Sequence, residues 1–209
     1  MLEPKLLKID EVIRSNHFYL QSNDLCYYFG DYYARQGYGH SPMNQLIYNF
    51  KKYMNRKGKS DWHFKEDAIK EVAKTIHCLD VWNKLKQYTW VPLPSSKLKD
   101  DPEFDDRLMR TLLCLKEKEP YLDVRDLFSI KTGRIAAHNP DIIYRPTVQD
   151  HLSNFQLNRN LLEPSPKAIA IFDDVITTGA SFLAGKMLLN QVFPDTHLIG
   201  IFIARNIPN

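Results

Sequence analysis

From residue 88 onward, short apolar runs alternate with segments of helical periodicity. The candidate strands are residues 88–93, 124–130, 167–172 and 197–204. A pattern with helical spacing separates each run from the next. Continuous apolar strands that alternate with helices are typical of a parallel sheet covered on both faces. Ligands of such sheets bind beyond the carboxyl ends of the strands, so functional side chains are expected just after each run.

The preceding part of the chain has a different pattern. Residues 18–33 are rich in Tyr and Phe and partly alternate, which favours strands and a hairpin. Ser41 followed by Pro42 is typical of a helix start, and a second amphipathic helix is predicted over residues 64–85. This part therefore combines predicted strands with predicted helices.

Chain length limits the number of domains. The sequence has 209 residues, which exceeds a typical single domain only slightly. We expect an α/β protein with a Rossmann-like parallel-sheet core in residues 88–209 and a small N-terminal α+β hood in residues 1–87.

Composition excludes several classes of protein. Lys and Arg number 28 against 25 Asp and Glu, and a net charge of +3 does not by itself imply nucleic-acid binding. The three cysteines are widely separated, so neither a disulfide framework nor a zinc site can be assembled from them. Charges interrupt every apolar run in residues 1–10, which argues against a signal peptide or a membrane span and predicts a cytoplasmic protein.

The most informative segment is residues 167–181, where a buried strand ends in two carboxylates and a small-residue turn opens a helix. Asp173 and Asp174 can accept hydrogen bonds from vicinal hydroxyls of a ribose. The turn offers backbone N–H groups and hydroxyls at a helix N-terminus, an arrangement that binds phosphate. Gly179 lets the backbone approach the phosphate closely. Together they predict a ribose 5-phosphate site; the alternative is a strand with an acidic edge and an N-capping Thr.

This segment resembles the signature of type I phosphoribosyltransferases. The signature consists of four apolar residues, two acids, two apolar residues, Thr-Thr-Gly, any residue, and Ser or Thr, and every position from Ile169 to Ser181 fits. Two weaker stretches are similar to the ComF-like (amidophosphoribosyltransferase-like) branch: Val91-Pro-Leu-Pro94, and Arg145 to Gln149 followed by Arg159-Asn160. For the first of these, a plain strand exit with prolines is an equal alternative.

The resemblance implies a phosphoribosyltransferase core that binds 5-phosphoribosyl-1-pyrophosphate with Mg²⁺ held mainly by the pyrophosphate. It implies transfer of the phosphoribosyl group to a nitrogen nucleophile. The implied catalytic residues are Asp173 and Asp174. The implied ligand-binding residues are Ser95, Ser96, Lys97, Arg145, Thr177, Thr178, Gly179, Ala180 and Ser181. Further cations that would close over the pyrophosphate are Lys131, Arg134, His138 and Arg159, with a solvated loop as the alternative.

Two departures from the family pattern bear on function. The N-terminal cysteine-rich zinc ribbon of the ComF-like branch is absent, so zinc dependence is not expected. Residues 100–106 are acidic where relatives tend to be basic, which makes catalysis less secure than binding. A non-catalytic regulator or effector that senses a nucleotide or phosphoribosyl pyrophosphate, with DNA uptake or defence as the associated process, is therefore a second hypothesis.

Partners are only loosely constrained by the sequence. The acceptor of the phosphoribosyl group cannot be read from it. The basic run Lys51–Lys57 leaves nucleic-acid binding open, and a solvated helix face is the alternative. A homodimer is also left open.

Overall fold

The computed structural model describes residues 3–133 and 145–208. The strands in these ranges are β1 (Leu7–Lys8), β2 (Leu25–Tyr32), β3 (Thr89–Pro92), β4 (Phe128–Ile130), β5 (Phe155–Leu157), β6 (Ala168–Ile176) and β7 (His197–Asn206). The α-helices are α1 (Glu11–Arg14), α2 (Pro42–Phe50), α3 (His63–His77), α4 (Trp82–Leu85), α5 (Arg107–Lys118), α6 (Val148–Asn154) and α7 (Ala180–Val192). Short 3₁₀ turns are Tyr38–His40, Met54–Arg56 and Arg159–Leu161.

Five of these strands form a mostly parallel sheet in the order β1-β2-β7-β6-β3. β2, β7, β6 and β3 are parallel, and β1 is antiparallel to β2 at the edge. The predicted α/β class with a parallel sheet is therefore confirmed. Because the parallel strands run in one direction, the ends of β3, β6 and β7 lie at the same edge of the sheet.

Helices cover both faces of the sheet. Ala170 and Phe172 of β6 pack into a core cluster with residues of α2, α3 and α5. Ile169 and Ile171, the alternating residues of the same strand, pack into a second cluster that includes Phe182 of α7. A strand that is buried on both faces reads as a continuous apolar run, which explains why this strand was easy to predict.

The hairpin predicted for residues 18–33 is wrong. The segment contains one strand, β2, which pairs in parallel with β7, with Tyr28 opposite Phe202. Cys26 and Tyr28 pack in one core cluster, whereas Tyr27 and Phe29 pack against the other. The aromatic side chains therefore fill both faces of a central strand, so their alternation does not mark a half-buried hairpin.

The strand predicted at residues 124–130 is shorter than expected and lies outside the main sheet. β4 pairs antiparallel with β5, and Val124 makes only an isolated parallel bridge with Trp90. Arg125 is buried and donates hydrogen bonds to the carbonyl oxygens of Leu161 and Leu162. The backbone N–H of Arg125 still donates to the carbonyl oxygen of Trp90 in β3, so the chain leaves β3 only beyond Arg125.

The predicted helices differ from the observed ones mainly at their ends. Ser41 caps α2 by accepting a hydrogen bond from the backbone N–H of Asn44, as predicted. Residues 64–85, predicted as one helix, are divided between α3 and α4. No helix in the described ranges is long and apolar enough to cross a membrane.

Candidate functional site

A cavity of about 1160 Å³ opens at the carboxyl edge of the parallel sheet. Its walls come from the loop after β3, from the end of β6, from the turn that follows β6 and from the start of α7. Most of the residues predicted to form the site line it: Ser95, Ser96, Lys97, Arg145, Asp173, Asp174, Thr177, Thr178, Ala180 and Ser181. Gly179 lies buried behind this wall, against Leu20.

The turn after β6 is held by residues 17–20, which we call the clamp segment. His17 is buried, and its Nδ1 donates a hydrogen bond to the carbonyl oxygen of Thr177. The backbone N–H of Tyr19 donates to the carbonyl oxygen of Thr178 over 2.8 Å. Desolvation lowers the pKa of His17, which keeps this imidazole neutral. The clamp segment therefore holds the turn by donating hydrogen bonds to the carbonyl oxygens of Thr177 and Thr178.

The N–H groups of the same turn are available. Within residues 3–133 and 145–208, no protein acceptor bonds to the backbone N–H of Thr178, Gly179 or Ser181. Gly179 has φ of 84° and caps the 13-residue helix α7 in the left-handed conformation. Because the carbonyl groups are bound from behind and the amides are not, the turn presents unsatisfied donors at a helix N-terminus, which favours an anion.

Asp174 occupies a different environment, because its carboxylate is buried and fully hydrogen-bonded. Its side chain is 7% exposed. Oδ1 accepts from Lys51 Nζ over 3.2 Å and from the backbone N–H of Val175 over 2.7 Å. Oδ2 accepts from Arg107 Nε over 3.0 Å and also from Arg107 Nη2. Four donors thus occupy the roughly four acceptor positions of a carboxylate.

These contacts belong to a larger set of ion pairs, which we call the charge network: Lys51, Lys65, Asp105, Arg107 and Asp174. Arg107 Nη1 donates to Asp105 Oδ2 over 2.7 Å, and the fully buried Lys65 donates to the same oxygen over 2.7 Å. Lys65 also donates to the carbonyl oxygens of Phe50 and Lys52. The network joins α2, α3, α5 and β6, and all of its members except Lys65 line the cavity.

The two neighbouring carboxylates have opposite electrostatic properties. Burial opposes ionisation of Asp174, but the charges of Lys51 and Arg107 outweigh it and lower the Asp174 pKa below its ordinary value. Burial and the adjacent Asp174 charge raise the pKa of Asp173 above its ordinary value. In the described ranges no cationic group forms an ion pair with Asp173. Its Oδ1 accepts from the backbone N–H of Asp174 over 2.8 Å, and its Oδ2 accepts only a long hydrogen bond of 3.5 Å from Ser181 Oγ. Asp173 is thus the member of the pair that has acceptor capacity left.

We expect an Asp173→Asn variant to be more stable than the wild type at high pH. Because the folded-state pKa of Asp173 is raised, stability is lost as pH rises from about 4, the ordinary aspartate value, through the folded-state value. Asn does not ionise and therefore avoids this loss. The free energy of unfolding of the variant should exceed that of the wild type by at least about 1 kcal/mol at pH 8 and by little at pH 4. Urea unfolding at both pH values measures the difference.

The control for this comparison is Asp106→Asn, which changes an exposed carboxylate of the same cavity. It should change the free energy of unfolding by at most about 0.5 kcal/mol at either pH value. A loss of stability in Asp173→Asn at pH 8 would contradict the expectation, because it would mean that the Asp173 charge is compensated in the folded protein.

The remaining cations predicted for the site differ in position. Lys97 lines the cavity, with its Nζ 3.8 Å from Asp101 Oδ2. Lys131 donates to the carbonyl oxygen of Ser153 and is not among the lining residues, and neither is Arg159. Arg134 and His138 lie outside the described residues.

Most of the cations of the predicted basic run are paired within the chain. Lys51 pairs with Asp174, and both Lys52 and Arg56 pair with Asp61 over 2.9 Å. Three cations of the run are therefore compensated by acids of the same chain.

In the described part of the chain, no three His, Cys, Asp or Glu side chains converge in a way that could hold a metal ion.

Sequence reasoning did not find the charge network or the clamp segment. One signal for the network was present: Lys65 falls on the apolar stripe of α3, with Ile69 and Val72 on the same face. A lysine at such a position requires a buried partner. For His17, which acts on a turn 160 residues away, the local sequence contains no comparable signal.

Comparison with known proteins adds no relative. No model of a protein family matches the sequence, and no curated protein matches it significantly.

Proposed function

We propose that the protein is a phosphoribosyltransferase that resembles the ComF-like type I enzymes and binds 5-phosphoribosyl-1-pyrophosphate. The observation that carries the proposal is the turn after β6, whose amides at Thr178, Gly179 and Ser181 have no acceptor in the described ranges. An anion of the size of the 5-phosphate satisfies such donors. Charge-assisted hydrogen bonds of this kind contribute roughly 1.5–3 kcal/mol each, so a few of them support specific binding.

The ribose is assigned to the space between the turn and the end of β6. Asp173 lines the cavity next to Ser181, and no cation pairs with it in the described ranges. A carboxylate with free acceptor positions can take both protons of a vicinal diol. A cavity of about 1160 Å³ is large enough for the phosphoribosyl donor and an acceptor together.

The proposed reaction is a displacement at C1 of the ribose. The bond between C1 and the pyrophosphate oxygen breaks, a bond from C1 to the acceptor nitrogen forms, and the nitrogen releases a proton. Binding at the turn orients the donor, and the charge of Asp173 stabilises the positive charge that develops on the ribose. The acceptor is not identified by these contacts.

Mg²⁺ fits this site as an ion carried by the substrate. The described residues offer no cluster of three ligands, and Asp174 already has four donors, so the protein alone does not form a metal cage. Asp173 is the carboxylate that would reach a metal bound to the pyrophosphate. The metal would supply neutralisation of the leaving group.

A sensor that binds the same ligand without turnover is the second candidate. The observation in its favour is the acidic lining on the side of the loop after β3, where Asp100, Glu103 and Asp106 face the cavity near Lys97. These carboxylates would repel a pyrophosphate that is not accompanied by a metal. The two candidates share the ribose 5-phosphate site and differ only in turnover.

Calorimetric titration tests the proposal. The wild type should bind ribose 5-phosphate and, with Mg²⁺, phosphoribosyl pyrophosphate. Asp173→Asn should weaken both by about 10- to 100-fold, because a charge-assisted hydrogen bond is lost. Glu117→Gln, which changes an exposed carboxylate outside the cavity, should bind within about twofold of the wild type. If the wild type gives no heat of binding with ribose 5-phosphate and none with phosphoribosyl pyrophosphate, the proposal is overturned.

Turnover separates the two candidates. Release of pyrophosphate from the donor should be followed with ammonium and with free nucleobases as acceptors. Release that depends on an acceptor supports the enzyme, and binding without release supports the sensor.

A further inference from the structure

Asp173 alone can accept the ribose diol, but a diol that engages both acids of the pair meets a conflict at Asp174. A ligand diol that engages both acids of the pair needs an acceptor position on Asp174, yet Lys51, Arg107 and the N–H of Val175 already fill that carboxylate. Binding to both acids therefore requires one of these donors to leave.

The donor that can leave is Lys51. The N–H of Val175 is fixed in β6. Arg107 is held at a second point by Asp105 and lies over the ring of Phe50, and its side chain is only 19% exposed. Lys51 makes the longest of the four bonds, at 3.2 Å, its side chain is 44% exposed, and it lines the cavity.

We infer that Lys51 is a specificity-determining residue that releases Asp174 to the ribose diol and pairs instead with a second anionic group of the ligand. The inference rests on the proposed function. A ligand that offers only ribose 5-phosphate leaves the released ammonium of Lys51 without a partner. A ligand that also carries a diphosphate at C1 provides one.

Charge balance supports this role. Around the acid pair, the described cations Lys51, Lys65 and Arg107 form ion pairs with Asp105 and Asp174. Lys65 is fully buried and Arg107 is largely buried, so Lys51 is the cation that can move without exposing the network to solvent. When Lys51 leaves Asp174, it needs another anion as a partner. The site therefore favours ligands that carry a second anionic group over ligands that do not.

The test compares two ligands in variants of Lys51. Dissociation constants for ribose 5-phosphate and for phosphoribosyl pyrophosphate are measured by calorimetry in the same Mg²⁺ buffer. The readout is the dissociation constant for ribose 5-phosphate divided by that for phosphoribosyl pyrophosphate, which increases with the preference for the diphosphate. Lys51→Met should bind ribose 5-phosphate as well as or better than the wild type and bind phosphoribosyl pyrophosphate more weakly, so its preference for the diphosphate should fall by about 10-fold or more.

Three further variants complete the test. Lys51→Arg retains a cation and should keep the wild-type ratio within about twofold. Lys52→Met removes the neighbouring lysine, which pairs with Asp61, and should also keep the ratio. Lys51→Gln keeps a hydrogen-bond donor for Asp174 without the charge, and its ratio should fall as in Lys51→Met even if the latter folds poorly.

Each outcome has one meaning. A fall of the ratio in both neutral variants, with the ratio kept in Lys51→Arg and Lys52→Met, supports the inference. A neutral variant that folds and keeps the wild-type ratio overturns it, while wild-type binding of both ligands still supports the proposed function. Absence of binding to both ligands in the wild type defeats both proposals together.

Discussion

Gly179→Val is expected to lose binding of ribose 5-phosphate by more than about 100-fold and to lower the free energy of unfolding by roughly 2–4 kcal/mol. Gly179 has φ of 84°, a conformation that a β-branched residue adopts only under strain. A Cβ at this position would lie 3.0 Å from Leu20 Cδ2 and 3.1 Å from Leu20 Cγ. The turn would have to move away from the clamp segment, and its amides would move with it.

The matched control is Gly58→Val. Gly58 has φ of 82°, almost the same conformation, but a Cβ there would have no neighbour within 4 Å. In this variant the free energy of unfolding should fall by about 1–3 kcal/mol, because only the strained backbone conformation contributes, and ligand should bind as in the wild type. Calorimetric titration and urea unfolding of both variants separate backbone strain from displacement of the turn.

A second variant isolates the contact with Leu20. Gly179→Ala should bind more weakly than the wild type, and Leu20→Ala in the same chain should recover part of the affinity because it removes the atoms that crowd the new Cβ. If folded Gly179→Val binds as the wild type does, the turn is not the phosphate site.

The part of the site that is local in sequence could be predicted. The strand, the turn and the helix follow one another between residues 168 and 192 in the predicted order, although β6 runs on to Ile176 and includes the acid pair that was expected after its end. Such a segment is readable because a doubly buried strand is continuously apolar and because a glycine before a helix marks a special backbone conformation. The position of the cavity at the carboxyl edge follows from the parallel sheet.

The part that depends on distant contacts could not be predicted. Lys51 is 123 residues from Asp174, and Arg107 is 67 residues from it. A charged residue has the same local pattern whether it is solvated or paired in a core. The basic run that contains Lys51 therefore suggested a nucleic-acid surface or a solvated helix face, and neither reading pointed to the acid pair.

The surroundings of Asp174 also differ from those of Asp173. The sequence treats the two acids as equivalent ribose ligands, whereas in the structure one is free of cations in the described ranges and the other is engaged by two. A buried ion pair is weak evidence for net stability, but here its hydrogen bonds join the acid to two cations of distant elements. Asp174 therefore positions Arg107 and Lys51 next to the cavity, and Asp173 is left as the immediate acceptor.

Arg107→Leu is expected to lower the free energy of unfolding by about 3–5 kcal/mol at pH 7. The substitution keeps an apolar stem but removes the guanidinium that donates to both Asp105 and Asp174. Asp174, whose side chain is 7% exposed, would keep a single cationic partner, so the full cost of a poorly compensated buried charge would appear. Urea unfolding measures the change.

Arg110→Leu, one turn further along α5, is the control for this variant. Arg110 pairs with Glu66, and both side chains are about one-third exposed, at 28% and 31%. The loss from this variant should be at most about 1 kcal/mol, because solvent screens the pair. Similar losses in the two variants would contradict the assignment of a buried network at Arg107.

The pH dependence of Arg107→Leu identifies the group that is responsible for the loss. In the wild type, burial opposes ionisation of Asp174, but Lys51 and Arg107 together lower its pKa, so its stabilising contribution is present above the ordinary aspartate value and is lost as pH falls through the lowered folded-state value. Without Arg107 the pKa of Asp174 rises, and the carboxyl takes up a proton under mildly acidic conditions. The stability difference between variant and wild type should therefore shrink as pH falls from 7 to about 4. Asp174→Asn in the Arg107→Leu background should recover part of the loss at pH 7, because it removes the uncompensated charge; a double variant as unstable as Arg107→Leu would assign the loss to packing around the guanidinium and not to Asp174.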